Sequence, residues 1–228
     1  MLVRLPQVLG PDELARLRAL LDAAGGAWVD GRVTAGHQAA AVKNNQQIDE
    51  QSAVARECQR IVAGALERNP LFISAALPNL LYPPMFNRYG EGMGFGPHVD
   101  GSVRLHPHDG RKLRTDLSAT LFLSEPESYD GGELQMEDSY GVHGAKLPAG
   151  DMVLYPATSL HQVTPVTRGV RVACFLWVQS LVRDDAERAL LFDLDNAIQR
   201  LNQSGADELA RRTLMGTYHN LLRKWSDT

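Results

Sequence analysis

Near the start of the chain, apolar positions fall three and four residues apart. Leu14, Leu17, Leu20 and Leu21 recur in DELARLRALLDAA behind Gly10 and Pro11. That spacing, with a proline suited to a first turn, predicts a helix. Val54, Cys58, Ile61, Ala65 and Leu66 share one face and predict a second. Residues 28 to 48, rich in Gly, Asn and Gln, read as strand and loop.

From about residue 71 to 180 the pattern changes to short β-branched or aromatic runs broken by Gly and Pro: LFISAAL, MFNRY, LSATLFLS, GELQM, DMVLYP and RVACFLWVQS. No helical pattern alternates with them, so a sandwich or jelly roll is predicted rather than a parallel α/β sheet. After Val182 the helical period returns. Leu190, Leu194, Ala197, Ile198 and Leu201 mark one face, and Leu214, Tyr218, Leu221 and Trp225 mark another beyond a break at Ser204 and Gly205. Ser204 with Asp207 reads as a capping box for the last helix, giving a C-terminal hairpin. The expected fold is mainly β with flanking helices. Residues 1–70 form an N-terminal helical support, 71–182 the core, and 183–228 a helical extension whose amphipathic faces also suit a homodimer contact.

Composition narrows the function. A net charge of -4, with both signs scattered, argues against electrostatic capture of nucleic acid or of an anionic membrane. No stretch approaches the roughly 20 apolar residues of a membrane span, and the N-terminus lacks a secretory pattern. Cys58 and Cys174 sit in apolar surroundings and read as buried thiols, so a reducing, cytoplasmic setting is expected. A chain of 228 residues buries enough surface to fold without a metal staple, so any metal is expected to serve function.

Candidate chemistry lies in two places. In GFGPHVDG, His98 and Asp100 stand two apart, which puts both side chains on one face of a strand. His161, in SLHQVTPV, can complete a set of two histidines and one carboxylate from a neighbouring strand. Such a set suits Fe(II), because the opposite face of the ion stays open for a cosubstrate and dioxygen. Structural zinc more often takes four ligands, cysteine among them. Arg171 opens the apolar run RVACFLWVQS ten residues past His161. If the strands around the turn at Arg168 and Gly169 pair, it enters the same interior and can clamp a carboxylate, as on 2-oxoglutarate.

Taken alone, His161 reads as a hydrogen-bonded core histidine; the combination favours a metal site. The HPHDG segment offers His106, His108 and Asp109 as a competing cluster, but its Pro and Gly point to a loop, read as a lid over the entrance or as an exposed polar turn. Two other classes stay open: a cupin-like metalloenzyme without 2-oxoglutarate, and a noncatalytic iron-responsive binding protein.

HVDG, His161 and Arg171 together resemble the prolyl and lysyl hydroxylase branch of the Fe(II)/2-oxoglutarate dioxygenases. The likeness covers the whole chain. PNLLYPPMFNRYGEGMGFGPHVDG, RTDLSATLFLS, the GGEL turn and the helical tail are similar to bacterial PKHD-type hydroxylases described as iron-uptake factors. The resemblance implies a double-stranded β-helix core, Fe(II) at His98, Asp100 and His161, 2-oxoglutarate at Arg171, and L-ascorbate as supporting reductant. It also implies hydroxylation, with dioxygen, of a small-molecule or peptidyl substrate linked to iron uptake. Tyr89 falls where related prolyl hydroxylases place a tyrosine near the cosubstrate; its residue type alone reads as packing.

Overall fold

Pro11 opens the first predicted helix, α1 (Pro11–Asp22), after a short strand, β1 (Val3–Leu5). The Glu13 carboxylate accepts the Gly10 amide at 3.3 Å, and Leu17 and Leu21 form the buried face. The strands β2 (Trp28–Asp30), β3 (Lys43–Asn44) and β4 (Gln46–Ile48) follow. Ser52 then caps α2 (Ala53–Glu67) by accepting the Ala55 amide at 3.0 Å. This structure is a computed structural model describing residues 1–34, 40–107, 109–205 and 207–227.

The run LFISAAL, expected as a strand, is helical instead: it forms α3 (Pro70–Ala76). Asn69 accepts the Phe72 amide at 2.9 Å and Pro70 occupies the first turn. That start signal outweighs the strand preference of Phe72 and Ile73, and Phe72, Ala75 and Ala76 turn inward.

The remaining strands are β5 (Pro78–Leu81), β6 (Met85–Tyr89), β7 (Gly94–His98), β8 (Val103–Leu105), β9 (Lys112–Arg114), β10 (Leu117–Phe122) and β11 (Tyr129–Gly131). They continue with β12 (Leu134–Asp138), β13 (Gly141–Ala145), β14 (Met152–Pro156), β15 (Leu160–Val163), β16 (Val166–Gly169) and β17 (Arg171–Ser180). The larger sheet runs β1-β14-β10-β17-β6-β4-β2, with β5 also on β17; the smaller runs β13-β12-β15-β7-β3. Short two-stranded pairs, β11 with β16 and β8 with β9, flank them. This antiparallel, jelly-roll type of core with flanking helices is the expected fold class.

Alternation divides the larger sheet. Phe86, Cys174, Leu176 and Val178 belong to one core with Leu17, Val62 and Phe72 of the N-terminal helices. Tyr89, Phe122, Leu134, Tyr155 and Val163 form a second cluster, which draws on both sheets. Burying such side chains contributes about 1.5–3 kcal/mol each.

The C-terminal hairpin forms as α4 (Asp185–Ser204) and α5 (Glu208–Trp225). Its details differ from expectation in two ways. Asp207 is itself the cap of α5, accepting the Leu209 amide at 3.1 Å, while Ser204 is the last residue of α4 and bonds the Leu201 carbonyl. Gly205, at φ 65°, ends α4 only after Ser204, so Ser204 belongs to the preceding helix and is not the cap of α5. The buried face of α4 is Arg188, Leu191 and Ile198, with Leu190 left 59% exposed. Arg188 shifts the face because its guanidinium bonds the Val182 carbonyl at 2.6 Å and Asp185 at 2.7 Å. Cys58 and Cys174 are free and buried, as expected. Among the described residues, no helix is long and apolar enough to cross a membrane.

Candidate active site

Two glycines let β7 lie close to its neighbours. A Cβ at Gly94 would come 3.0 Å from the Val163 carbonyl oxygen, and one at Gly96 3.0 Å from Val42 Cβ. With β7 seated beside β15, His98 and His161 are direct partners across the ladder. Asp100 follows just past the end of β7 and completes the group. Its Oδ1 lies 4.0 Å from His98 Nε2 and its Oδ2 3.7 Å from His161 Nε2. One ligand atom from each of the three lies within 4.8 Å of the others.

The backbone sets both imidazoles. His98 Nδ1 lies 2.8 Å from the Gly96 carbonyl, and His161 Nδ1 lies 3.0 Å from the Ser159 carbonyl. Carbonyls only accept, so each Nδ1 carries the proton and each Nε2 offers its lone pair. The Ser118 hydroxyl donates to Asp100 Oδ2. Phe95 stacks on His98 at 3.6 Å between ring centroids, and Tyr155 meets His161 edge-on at 5.2 Å. Burial pushes the His98 pKa down to about 4, with neighbouring His161 acting in the same sense. A neutral imidazole is the form that binds metal. Two oriented Nε2 atoms and one carboxylate, all on one side, therefore fit a divalent ion that keeps several positions open.

Arg171 begins β17, in the opposite sheet, with Tyr89 as its ladder partner. Arg168 and Gly169, read as a turn, lie instead in β16, which pairs β11, and the pairing on which the expectation for Arg171 was conditional does not form. β15 bonds β12 and β7, whereas β17 bonds β10 and β6, because each is already an interior strand of its own sheet. The arginine nevertheless shares the cavity with His161, reaching it from across the sandwich. It is 2% exposed, and its guanidinium carbon lies 5.3 Å from the Tyr89 ring and 5.4 Å from the Phe122 ring. Its Nε has no hydrogen-bond partner among the described residues. Gly132, at φ 61°, makes room beside it, since a Cβ there would lie 3.1 Å from Arg171 Cδ.

Tyr89 is buried, lines the same cavity and accepts from Asn87 Nδ2 at 3.3 Å, so packing and cavity-lining readings coincide in it. The cavity encloses about 780 Å³ counted out to its open mouth. His106 and Asp109 do not line it. They face each other at 3.1 Å, and Asp109 also holds Arg111 at 2.7 Å; His108 lies outside the described residues.

Sequence reasoning missed Ser118, Lys43 and Arg104, all of which line the cavity. A signal existed for the first: Ser118 and Thr120 place polar groups two apart within an otherwise apolar strand, marking the face that meets the site. Lys43 and Arg104 stand in segments with no motif.

Residues 84–179 match the 2OG-Fe(II) oxygenase superfamily, and residues 185–227 match the PKHD-type hydroxylase C-terminal domain. A PKHD-type hydroxylase of Cupriavidus metallidurans is 75% identical over the full length of both chains. A Pseudomonas putida prolyl-4-hydroxylase structure, 22% identical, covers 78% of this chain and 92% of its own with a TM-score of 0.52. A Trichoplax adhaerens prolyl hydroxylase, in complex with a hypoxia inducible factor peptide fragment, is 17% identical and covers 83% and 86% with a TM-score of 0.56. The two structures share the fold; the full-length identity carries the assignment, and the chain belongs to the PKHD-type hydroxylases, enzymes of the 2OG-Fe(II) oxygenase superfamily.

Proposed function

We propose that His98, Asp100 and His161 hold Fe(II), that Arg171 holds 2-oxoglutarate by its far carboxylate, and that the cavity hydroxylates a substrate connected with iron acquisition. The observation that supports this most is Arg171: a buried guanidinium with an unpartnered Nε, lining the cavity that also contains the three ligand candidates. A carboxylate supplies what that group lacks, through a bidentate, charge-assisted pair. A cupin-like enzyme without the cosubstrate has no use for such a clamp.

When bound, ferrous iron and 2-oxoglutarate supply the activation of dioxygen that converts a substrate C–H to C–OH, with succinate and carbon dioxide released. The chain's own residues prepare for this. The Gly96 and Ser159 carbonyls fix the tautomer and orientation of the histidines, and Ser118 steadies the Asp100 carboxylate. Retention of a carboxylate at position 100 leaves no protein position vacant for a halide, which favours hydroxylation. Phe95, Tyr89, Leu134 and Val163 give the cavity apolar walls that limit water. L-ascorbate as supporting reductant and the link to iron acquisition rest on the resemblance to the iron-uptake branch.

The test is anaerobic titration of the protein with Fe(II) and then 2-oxoglutarate, following the weak visible charge-transfer band of a chelated keto acid. The band is expected to appear in the wild type and to weaken in Arg171→Ala. Iron binding without a band would remove the cosubstrate from the assignment. Metabolite profiling of a deletion strain under iron limitation tests the substrate link, which fails when no iron-linked compound changes.

A further inference from the structure

Arg171 is not the cavity's only cation. Lys43, on the edge strand β3 of the smaller sheet, and Arg104, on the β8–β9 hairpin, also line it. Lys43 is 7% exposed; its Nζ donates to Thr34 Oγ1 at 3.2 Å and lies 5.3 Å from the Phe95 ring and 5.9 Å from the Phe175 ring. The Arg104 guanidinium carbon lies 4.1 Å from the Trp177 ring and 4.8 Å from the Tyr82 ring, and its Nε is buried without a partner among the described residues. Phe175 and Trp177 stand edge to face at 5.5 Å, so the two cations flank one aromatic row.

Among the described residues, neither cation forms an ion pair with a carboxylate. The Glu50 carboxylate is engaged by the Tyr82 hydroxyl at 3.3 Å, and Asp100 belongs to the ligand set. Aromatic faces hold the cations in place but leave Arg104 Nε unsatisfied, and Lys43, with three N–H donors, has the Thr34 hydroxyl as its acceptor. Burial, with Arg104 acting in the same direction, pulls the Lys43 pKa down to about 8 against the weaker opposing pull of Asp100, Asp30 and Glu50. Holding two such groups beside a reaction centre costs stability unless a ligand completes them.

We propose that the substrate carries an oxyanion, a carboxylate or a phosphate, that Lys43 and Arg104 bind while its apolar portion lies against Phe175 and Trp177. This substrate class rests on the assignment of the cavity as the active site with its cosubstrate at Arg171. Arg171 is then occupied by 2-oxoglutarate, and the second anion site is formed by residues at the opposite ends of the aromatic row. Charge-assisted hydrogen bonds of about 1.5–3 kcal/mol translate into roughly tenfold to hundredfold selectivity for an anion over its neutral isostere.

The experiment uses protein saturated with Fe(II) and 2-oxoglutarate under nitrogen, titrated by calorimetry with 3-phenylpropionate, its neutral amide and phenyl phosphate. The expected result is that at least one anionic probe binds about tenfold or more tightly than the amide. That preference is lost in Lys43→Met combined with Arg104→Gln, and is recovered in part by Arg104→Lys. Whichever of carboxylate and phosphate binds more tightly identifies the oxyanion. Equal binding of anions and amide, failure of every anionic probe to bind, or a preference that survives the double variant overturns the proposal. The charge-transfer band should persist in the double variant, separating substrate recognition from cosubstrate binding. If the wild type itself shows no band, the cosubstrate assignment fails, and the same titrations on the Fe(II)-loaded protein still decide whether the cation pair selects anions.

Discussion

Replacing Arg171 by Met separates a binding group from a structural one, because the two roles predict opposite outcomes. In the metal-free protein the substitution removes a buried cation whose Nε has no partner, relieving about 1–3 kcal/mol of unmet hydrogen bonding. It also removes contacts with the Tyr89 and Phe122 rings, worth about 1–2 kcal/mol each when desolvated. A methionine sulfur recovers part of that loss, roughly 0.3–1.5 kcal/mol, by lying against the same rings. The terms nearly cancel. Unfolding free energy should therefore stay within about 2 kcal/mol of wild type, a shift in Tm of at most about 8 °C for a chain of this size. Affinity for 2-oxoglutarate behaves differently, since a lost bidentate pair costs about 3 kcal/mol or more, over a hundredfold in Kd. Urea denaturation of the metal-free protein and calorimetry with 2-oxoglutarate on the Fe(II) form measure the two quantities. A variant that loses more than about 3 kcal/mol of stability yet binds 2-oxoglutarate normally would refute the reasoning, showing Arg171 to be part of the scaffold.

Ser118→Ala removes the hydroxyl that donates to Asp100 and should weaken Fe(II) about 10- to 100-fold in competition with a chelator; unchanged affinity contradicts the role. Gly131→Ala places a Cβ 2.1 Å from the Pro165 carbonyl oxygen at φ 68°, so its urea midpoint should fall by the equivalent of roughly 3 kcal/mol, and an unaltered midpoint means the turn yields freely. The metal-free protein should lose stability on acidification. His98 has a folded pKa of about 4, below its unfolded value, so above about pH 6.5 neither state is protonated and the stability is fully present. As pH falls towards 4 the unfolded chain takes up a proton that the folded one refuses, costing up to about 3 kcal/mol; a flat profile of urea midpoints across this window argues against it.

Local signals made most of the elements legible. Pro11 with the leucine spacing defined α1, and the apolar runs of β10, β14 and β17 announced interior strands. LFISAAL was misread because its residue types favour a strand, while the deciding groups, Asn69 and Pro70, stand just before it. His98 and Asp100 were readable together through their spacing, His161 only in combination with them, and Arg171 through its place at the head of an apolar run. The pairing of those strands was not readable, since β17 takes partners far away in the chain, at β10 and β6, in preference to its neighbour. Lys43 and Arg104 illustrate the remaining limit: only the assembled fold places an edge strand and a hairpin on either side of Phe175 and Trp177.

The division of the site between sheets has a mechanical consequence. The three ligand candidates are attached to β7 and β15 of one sheet, and Arg171 to β17 of the other, so no backbone hydrogen bonds join the two attachment points directly. Their separation is fixed by the side chains between the layers, among them Tyr89, Leu134, Tyr155 and Val163. The sandwich thus works as a caliper whose jaws are set by its filling. With 2-oxoglutarate held as proposed, a dicarboxylate one methylene shorter would fall short of one jaw, and trimming Leu134 or Val163 in the cavity wall would reset the gauge, changing which keto acid fits without altering the three ligand candidates or Arg171.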